Sequence, residues 1–343
     1  MPRVVLAPDK FRGTATASGA AAALAGAATR LGWEAEAIPL SDGGEGLLEA
    51  CAVVCPEEES TVVTAPDGSP VTARWRIGDR LAVVESAQAS GLSLVGGSEG
   101  NDAMTATSRG TGELLVAAAA RVGSGGTVVV GLGGSATTDG GLGALEAVES
   151  AGGLAGVHLV GAFDVATHFV DAAPLFAPQK GADADQVAAL ASRLEALVDR
   201  YRSRYGVDVR DLAGSGAAGG LGGALAVLGA ELRSGYALVH DLVGLGPALD
   251  AADRVVTGEG ALDATSFAGK VVGGVVGDAR DRGLPTLVVA GRCSDEGAAR
   301  ARDAGCDVVS LTERFGPRRA TAETDACLAR VASDWLDTPV GDG

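Results

Sequence analysis

The chain has 343 residues, 47% of them apolar and only 3% aromatic, with 53 glycines and a formal net charge of −17. That length and composition suit two domains with aliphatic, Ala-rich cores. The charge, unbroken by any Lys/Arg cluster, excludes nucleic acid and anionic membrane surfaces as expected partners, so an anionic ligand must be held by a local device such as a helix N-terminus, a few placed cations or a metal ion.

In chain order, RVVLA at 3–7 predicts a strand, the Thr/Ser-opened Ala-rich stretch ending near Gly32 a helix, and AEAIPL at 35–40 a second strand, which together make a parallel α/β unit. A further helix is expected after SDGGEG at 41–46. The pattern then changes: TVVTA and VTARWRI flank a PDGSP turn and LAVVES follows, as in an antiparallel meander. Alternation resumes with a helix over 111–121, strand TVVVG at 127–131, a helix over 140–150 and a long amphipathic helix over 184–203. From 253 onward come strand RVVTG, a helix over 270–281, strand PTLVVA, a helix over 296–304, strand DVVSL and a helix over 321–336. Both ends carry the βαβ pattern and the middle does not. The expected architecture is therefore α/β with two domains: a discontinuous, Rossmann-like doubly wound domain of residues 1–70 and 240–343, and an inserted mixed α/β domain of residues 71–239.

The five cysteines, Cys51, Cys55, Cys293, Cys306 and Cys327, form no metal-ligand grouping with the three histidines and read as reduced structural thiols. The apolar run at the N-terminus ends at Asp9, too soon for a signal peptide, and the Ala/Gly-rich run 216–230 is too short to span a bilayer, so a cytoplasmic protein without a membrane partner is expected.

Of the 27 basic residues only Lys10, Lys180 and Lys270 are lysines, in the turn-like sequences APDKFRG, FAPQKGA and FAGKVVGG. There a compact ammonium can reach an oxyanion without needing a planar fork. The loop GLGGSATTDGG at 131–141 follows an apolar strand and precedes a helix, and is built like a phosphate cradle. Gly133 and Gly134 let backbone N–H groups approach, Ser135 and Thr137 add hydroxyls, and Asp139 is a candidate Mg²⁺ ligand. A dinucleotide fingerprint is incomplete, because no acidic residue closes the next strand, and Walker A and protein-kinase signatures are missing. Three acidic loops, APDK with Asp9, SDGGEG with Asp42, Gly43 and Gly44, and VVTGEGALD with Gly258, Glu259 and Asp263, fall at the C-terminal ends of predicted strands, where a doubly wound sheet opens its ligand crevice. GSGAAGGLGG at 214–223 serves either phosphate or close packing.

Taken in order, APDKFRGTATA, SDGGEG, ESAQASGL, TSRGTGELL, GLGGSATTDGG, FAPQKGA, GSGAAGGLGG, AELRSG and VVTGEGALD with GK resemble the glycerate 2-kinase family of bacterial type I, over roughly residues 3 to 291. The resemblance implies that one of the two α/β domains is flavodoxin-like and discontinuous, that the active site lies in a cleft between them, and that the substrates are ATP, with Mg²⁺, and glycerate, converted to 2-phosphoglycerate. Phosphoryl transfer asks for positioning and charge neutralisation. On that footing Lys10 and Lys270 neutralise phosphate or substrate carboxylate, Lys180 closes from the second domain, Asp42 or Asp263 takes the hydroxyl proton, and Asp139 and Glu259 hold Mg²⁺. Asp9, Arg12, Gly43, Gly44, Gly133, Gly134, Ser135, Thr137 and Gly258 complete the expected binding loops, and Arg233 is either a ligand contact or a surface ion pair. Where the family usually has D-N-P-L-x-G-P-x-G-A, this chain has FDVATHFVDAAPL, with Asp164 kept and His168 within the altered segment. Thr138, Ala261 and Thr265 stand where relatives typically have Asn, Arg and Gln. These departures leave open a kinase for another small hydroxy acid, or a ligand-binding relative without turnover. A nicotinamide oxidoreductase is a more distant alternative. The sequence is compatible with a monomer or a homodimer.

Overall fold

The computed structural model describes residues 1–154 and 156–338. Its strands are β1 (Arg3–Leu6), β2 (Glu34–Ala37), β3 (Glu57–Thr64), β4 (Pro70–Ile77), β5 (Leu81–Glu85), β6 (Thr127–Leu132), β7 (His158–Phe163), β8 (Glu231–Ser234), β9 (Arg254–Leu262), β10 (Thr286–Cys293) and β11 (Asp307–Ser310). They divide between two compact units, one formed by Met1–Asp42 with Val239 onward and the other by Gly43–Leu238.

In the first unit the sheet order is β11-β10-β9-β1-β2, with every pair parallel. Ranked within the unit, that is 2-1-3-4-5, the flavodoxin-like order, whose switch point lies between β1 and β9. The inner strands are near-continuous Val/Leu runs because helices cover both faces of a parallel sheet. On one face the helix Ala17–Arg30, capped by the Thr16 side chain on the Gly19 N–H, buries Ala20, Leu24, Ala27 and Ala28 and packs against the helix Thr324–Leu336. On the other, Val272 and Val276 of the helix Val271–Asp281 pack with Val288 and Ala290 of β10. Arg254 is buried between Trp33 and Trp335, its guanidinium 5.3 and 4.9 Å from their ring centroids, and donates to the Trp335 and Thr338 carbonyls. This ties the C-terminal helix to the far end of β9.

The second unit has the mixed order β3-β4-β5-β6-β7-β8, antiparallel through β5 and parallel beyond. The predicted meander is β3–β5, with the PDGSP turn closed by the Ala65 N–H on the Ser69 carbonyl. Trp75, Val84, Leu114, Leu115, Val130 and Leu221 share one core cluster. A second forms around the helix Ala184–Tyr205, whose Leu190, Leu194, Leu197 and Tyr201 face Phe169. An Asp183/Gln186 capping box starts that helix where the sequence places it.

The residues after Asp42 group with the second unit, earlier than the composition change near 70. That change marks the β3–β4 turn, and β3 is already hydrogen-bonded into the second sheet. β7 and β8 extend the second sheet beyond the predicted strands, and β9 runs past Gly258 to Leu262. All five cysteines are free. Among the described residues no helix is long and apolar enough to cross a membrane.

Candidate active site

At the C-terminal ends of β1, β2, β9 and β10 the first unit opens a cleft of about 370 Å³. The loop after β1 brings Asp9, Lys10 and Arg12, and the residues after β2 bring Asp42. The end of β9 and the turn beyond it bring Glu259, Gly260, Ala261 and Asp263, Lys270 stands at the head of the helix Val271–Asp281, and β10 contributes Arg292. The β1 loop is fixed by Phe11, which is 1% exposed and bridges to Ala15, and by the Asp9 N–H on the Gly258 carbonyl at 2.9 Å. Two acidic loops read from sequence at strand ends, APDK and VVTGEGALD, therefore meet across the switch point.

The electrostatics of the cleft are uneven. The Lys10 ammonium lies 3.9 Å from both Asp9 Oδ1 and Asp42 Oδ1. Burial pushes the Asp9 carboxyl up to about 6, with Lys10 opposing and Asp42 reinforcing. Burial likewise pushes Glu259 up to about 7, against the Ser266 hydroxyl, and its Oε1 is buried with no hydrogen-bond partner. Asp263 is the opposite case. It caps the turn Ala264–Phe267, accepting the Thr265 N–H at 2.8 Å and the Thr265 hydroxyl at 2.6 Å, and these bonds hold its carboxyl below the usual range. An exposed carboxylate occupied in this way is a poor proton acceptor.

Gly258 is a packing residue. A Cβ there would collide with the Val289 carbonyl of β10, so it permits close approach of two strands. Arg292 has no motif in the sequence. It is a cleft residue because β10 lies beside β9, which sets it opposite Ala261.

The glycine-rich loops of the second unit are largely occupied by their own structure. Asp139 Oδ2 accepts the Ser108 N–H at 2.9 Å, the Ser108 hydroxyl at 2.7 Å and the Gly143 N–H at 3.3 Å, while Oδ1 accepts the Gly141 N–H at 3.0 Å. Both oxygens are committed to joining the starts of the helices Arg109–Val122 and Leu142–Ser150, so Asp139 is not an open Mg²⁺ ligand. Lys180 is 4% exposed and donates to Ser135 Oγ at 2.9 Å and the Thr137 carbonyl at 2.6 Å. Burial pushes its ammonium down to about 7. It anchors the 131–141 loop from beneath and does not project to close over a ligand. Gly43 and Gly44 are buried, and a Cβ on Gly133 would lie 2.8 Å from the Gly44 Cα, so these glycines let two loops touch. Glu85, missed in the sequence, fastens the Gly43–Gly44 loop by accepting the Gly46 and Leu48 N–H groups.

Gly134 is the exposed residue of its loop, and the Thr137, Thr138 and Ser215 hydroxyls are buried without partners. Beside them Ala218 adopts φ 51°, ψ 39°, a strained left-handed conformation within GSGAAGGLGG. Arg233 on β8 lies 3.8 Å from Glu231 in a half-exposed ion pair. The altered 161–175 segment contributes Phe169 to the core, 5.9 Å from Tyr201, and exposes His168 beside Asp171.

The glycerate kinase family model matches residues 4–152 and 149–338. The chain is 36% identical to glycerate 2-kinase of Escherichia coli (strain K12), with 86% of each protein covered. It is 40% identical to an uncharacterized Mycobacterium bovis protein, over 96% of this chain and 90% of that one. A crystal structure described as that of a candidate glycerate kinase 2 from Salmonella typhimurium LT2 superposes with a TM-score of 0.80 at 30% identity, over 97% of this chain and 98% of that one. With the motif order, the two-sheet α/β architecture and these matches in agreement, the chain belongs to the glycerate kinase family, a family of ATP-dependent kinases.

Proposed function

We propose that the protein transfers the γ-phosphoryl group of ATP to the 2-hydroxyl of D-glycerate, giving 2-phosphoglycerate and ADP. The observation carrying this reading is the convergence of Lys10, Arg12, Lys270 and Arg292 with four carboxylates at the switch point of the first unit. In a chain of net charge −17, such a gathering of cations is a local anion site. Lys10 and Lys270 present compact positive charge to phosphate oxygens. Asp42, 3.9 Å from Lys10, accepts the hydroxyl proton as the substrate oxygen bonds to the γ-phosphorus and the bond to the ADP oxygen breaks.

The residues fit a magnesium ion. Among the described residues no three His, Cys, Asp or Glu side chains converge as a ligand set. Mg²⁺ characteristically takes one or two carboxylates and completes its shell with water and substrate phosphate. Glu259, with its orphaned buried oxygen, and Asp9 beside it would hold the ion. When bound, it supplies neutralisation of phosphate charge.

The test is coupled ADP release with Mg-ATP and D-glycerate, run beside a panel of small hydroxy acids, with the product read by phosphorus NMR. A phosphate on the secondary oxygen splits as a doublet and one on the primary oxygen as a triplet. Turnover of glycerate with a doublet supports the reading, a triplet replaces the regiochemistry, and activity confined to another acid replaces the substrate.

A further inference from the structure

We propose that the guanidinium of Arg292, together with that of Arg12, holds the carboxylate of the hydroxy-acid substrate and so makes the enzyme specific for acids. This rests on the kinase reading above.

The four cations of the cleft differ in their partners. Lys10 already has Asp9 and Asp42 at 3.9 Å, and the charge of Lys270 acts on Asp9, Glu259 and Asp263. The side chains of Arg12, Arg292 and Lys270 make neither a hydrogen bond nor an ion pair among the described residues, although they share the cleft with four carboxylates, and of these three only the arginines carry a planar fork. Elsewhere the chain pairs its arginines readily, as in Arg121–Glu59, Arg204–Glu149 and Arg282–Asp250. Two guanidiniums left open in a chain with 44 acidic residues are poised for an anion from outside it.

The backbone brings the two together. Arg292 is the ladder partner of Ala261, and both line the cleft. A Cβ on Gly260 would stand 3.0 Å from the Arg12 amide nitrogen, and a Cβ on Gly291 would lie 2.5 Å from the Gly260 carbonyl. The loop carrying Arg12 and the strand carrying Arg292 thus both pack closely against Gly260.

Substrate chemistry then decides between phosphate and carboxylate. The hydroxyl that attacks must lie near Asp42 and the lysines. In a 2-hydroxy acid the carboxylate is one carbon–carbon bond from the carbon bearing that hydroxyl, so its counter-ion must line the same cleft. Lys10 is already engaged with Asp9 and Asp42, and the Lys270 ammonium, which forms no ion pair among the described residues, is a point charge and not a fork. A planar guanidinium fork matches a carboxylate in bidentate geometry, and Arg12 and Arg292 are the forks available.

The experiment compares wild type, Arg292→Gln and Arg292→Lys on D-glycerate and on glyceramide, its uncharged analogue, with ATP varied separately. Arg292 is exposed, so the variants keep the fold, which their melting temperatures verify. Arg292→Gln is expected to lower kcat/KM for D-glycerate by about 10- to 100-fold, the range for a lost hydrogen bond to a charged group, with Arg292→Lys intermediate. Activity on glyceramide and the KM for ATP stay within about twofold of wild type. A variant that raises the KM for ATP and spares glycerate would place the guanidinium on the nucleotide and overturn the proposal, as would one indistinguishable from wild type. If wild type fails to phosphorylate glycerate, the kinase reading on glycerate fails separately, and calorimetric titration with D-glycerate and other 2-hydroxy acids decides this point: binding by wild type that Arg292→Gln abolishes supports the clamp, and binding equal in both, or absent from wild type, refutes it.

Discussion

Glu259→Gln preserves the shape of the cleft and removes one titration from it. In the native protein burial raises the Glu259 carboxyl from its ordinary 4.5 to about 7, with Asp9 reinforcing and Ser266 and Lys270 opposing. Asp263 and, on β10, Cys293 complete the titratable groups that sense it. A folded-state pKa above the unfolded one means that the native state binds the proton more tightly, so stability from this group is present at low pH and is lost as pH rises from about 4.5 through 7. The rise is worth about 3 kcal/mol when fully developed near pH 8 and about 1 kcal/mol at pH 5.5. Glutamine cannot ionise, so the variant escapes this loss, less about 1 kcal/mol for an amide that inherits the unpartnered site. Urea unfolding in chelator should show Glu259→Gln gaining about 2 kcal/mol on wild type between pH 5.5 and pH 8. Parallel stability curves across that range would refute the reasoning, because they would mean that Glu259 is already solvated or paired.

The remaining predictions bear on the roles of Asp42, Asp263, Lys180 and Asp139. Asp42→Asn should lower kcat by about 100-fold or more with little change in stability, whereas Asp263→Asn should cost about 1 kcal/mol of local stability and far less activity; steady-state kinetics and thermal melts of both variants check this. Wild type should gain stability from its buried Lys180 as pH rises from about 7 toward 10, because the folded ammonium titrates near 7 and the unfolded one near 10.5; Lys180→Met should lack that gain of about 2 kcal/mol between pH 6.5 and 9, measured by urea unfolding. Asp139→Asn should destabilise by about 2 kcal/mol by disturbing the charge-assisted bonds at two helix starts, yet leave Mg²⁺ affinity unchanged when read by calorimetry with the metal alone.

The first unit was legible because its signals are local. Apolar runs such as RVVLA and PTLVVA mark buried parallel strands, and the acidic loops that follow β1 and β9 stand where a doubly wound sheet gathers its ligand groups. Lys10 and Lys270 could be singled out by rarity alone, and they do share a cleft. Arg292 could not, since GRC at a strand end carries no pattern, and only the pairing of β10 with β9 brings it to the site. The second unit is harder to read for a different reason. A Gly-rich loop whose N–H groups bind phosphate and one whose N–H groups bind its own aspartate have the same composition, and the four bonds that occupy Asp139 come partly from Ser108, distant in sequence. β8 is four residues of mostly polar sequence and is a strand only because β7 offers it an edge.

Protons and magnesium should compete for the same oxygens. Asp9 and Glu259 titrate near 6 and 7, so at pH 6 part of the negative charge that would hold a cation is already neutralised. Below about pH 7 each unit of pH should weaken Mg²⁺ binding, approaching about tenfold per proton displaced, and above it the affinity should level off. ATP carries Mg²⁺ of its own, so the measurement is calorimetric titration of the nucleotide-free protein with Mg²⁺ across pH 5.5 to 8.5. Glu259→Gln removes one of the two oxygen sources and should flatten the profile as well as weaken it. Wild-type affinity that is independent of pH, or a variant profile parallel to the wild-type one, would show that the ion sits elsewhere, and the unpartnered Glu259 oxygen would then have to be explained by substrate.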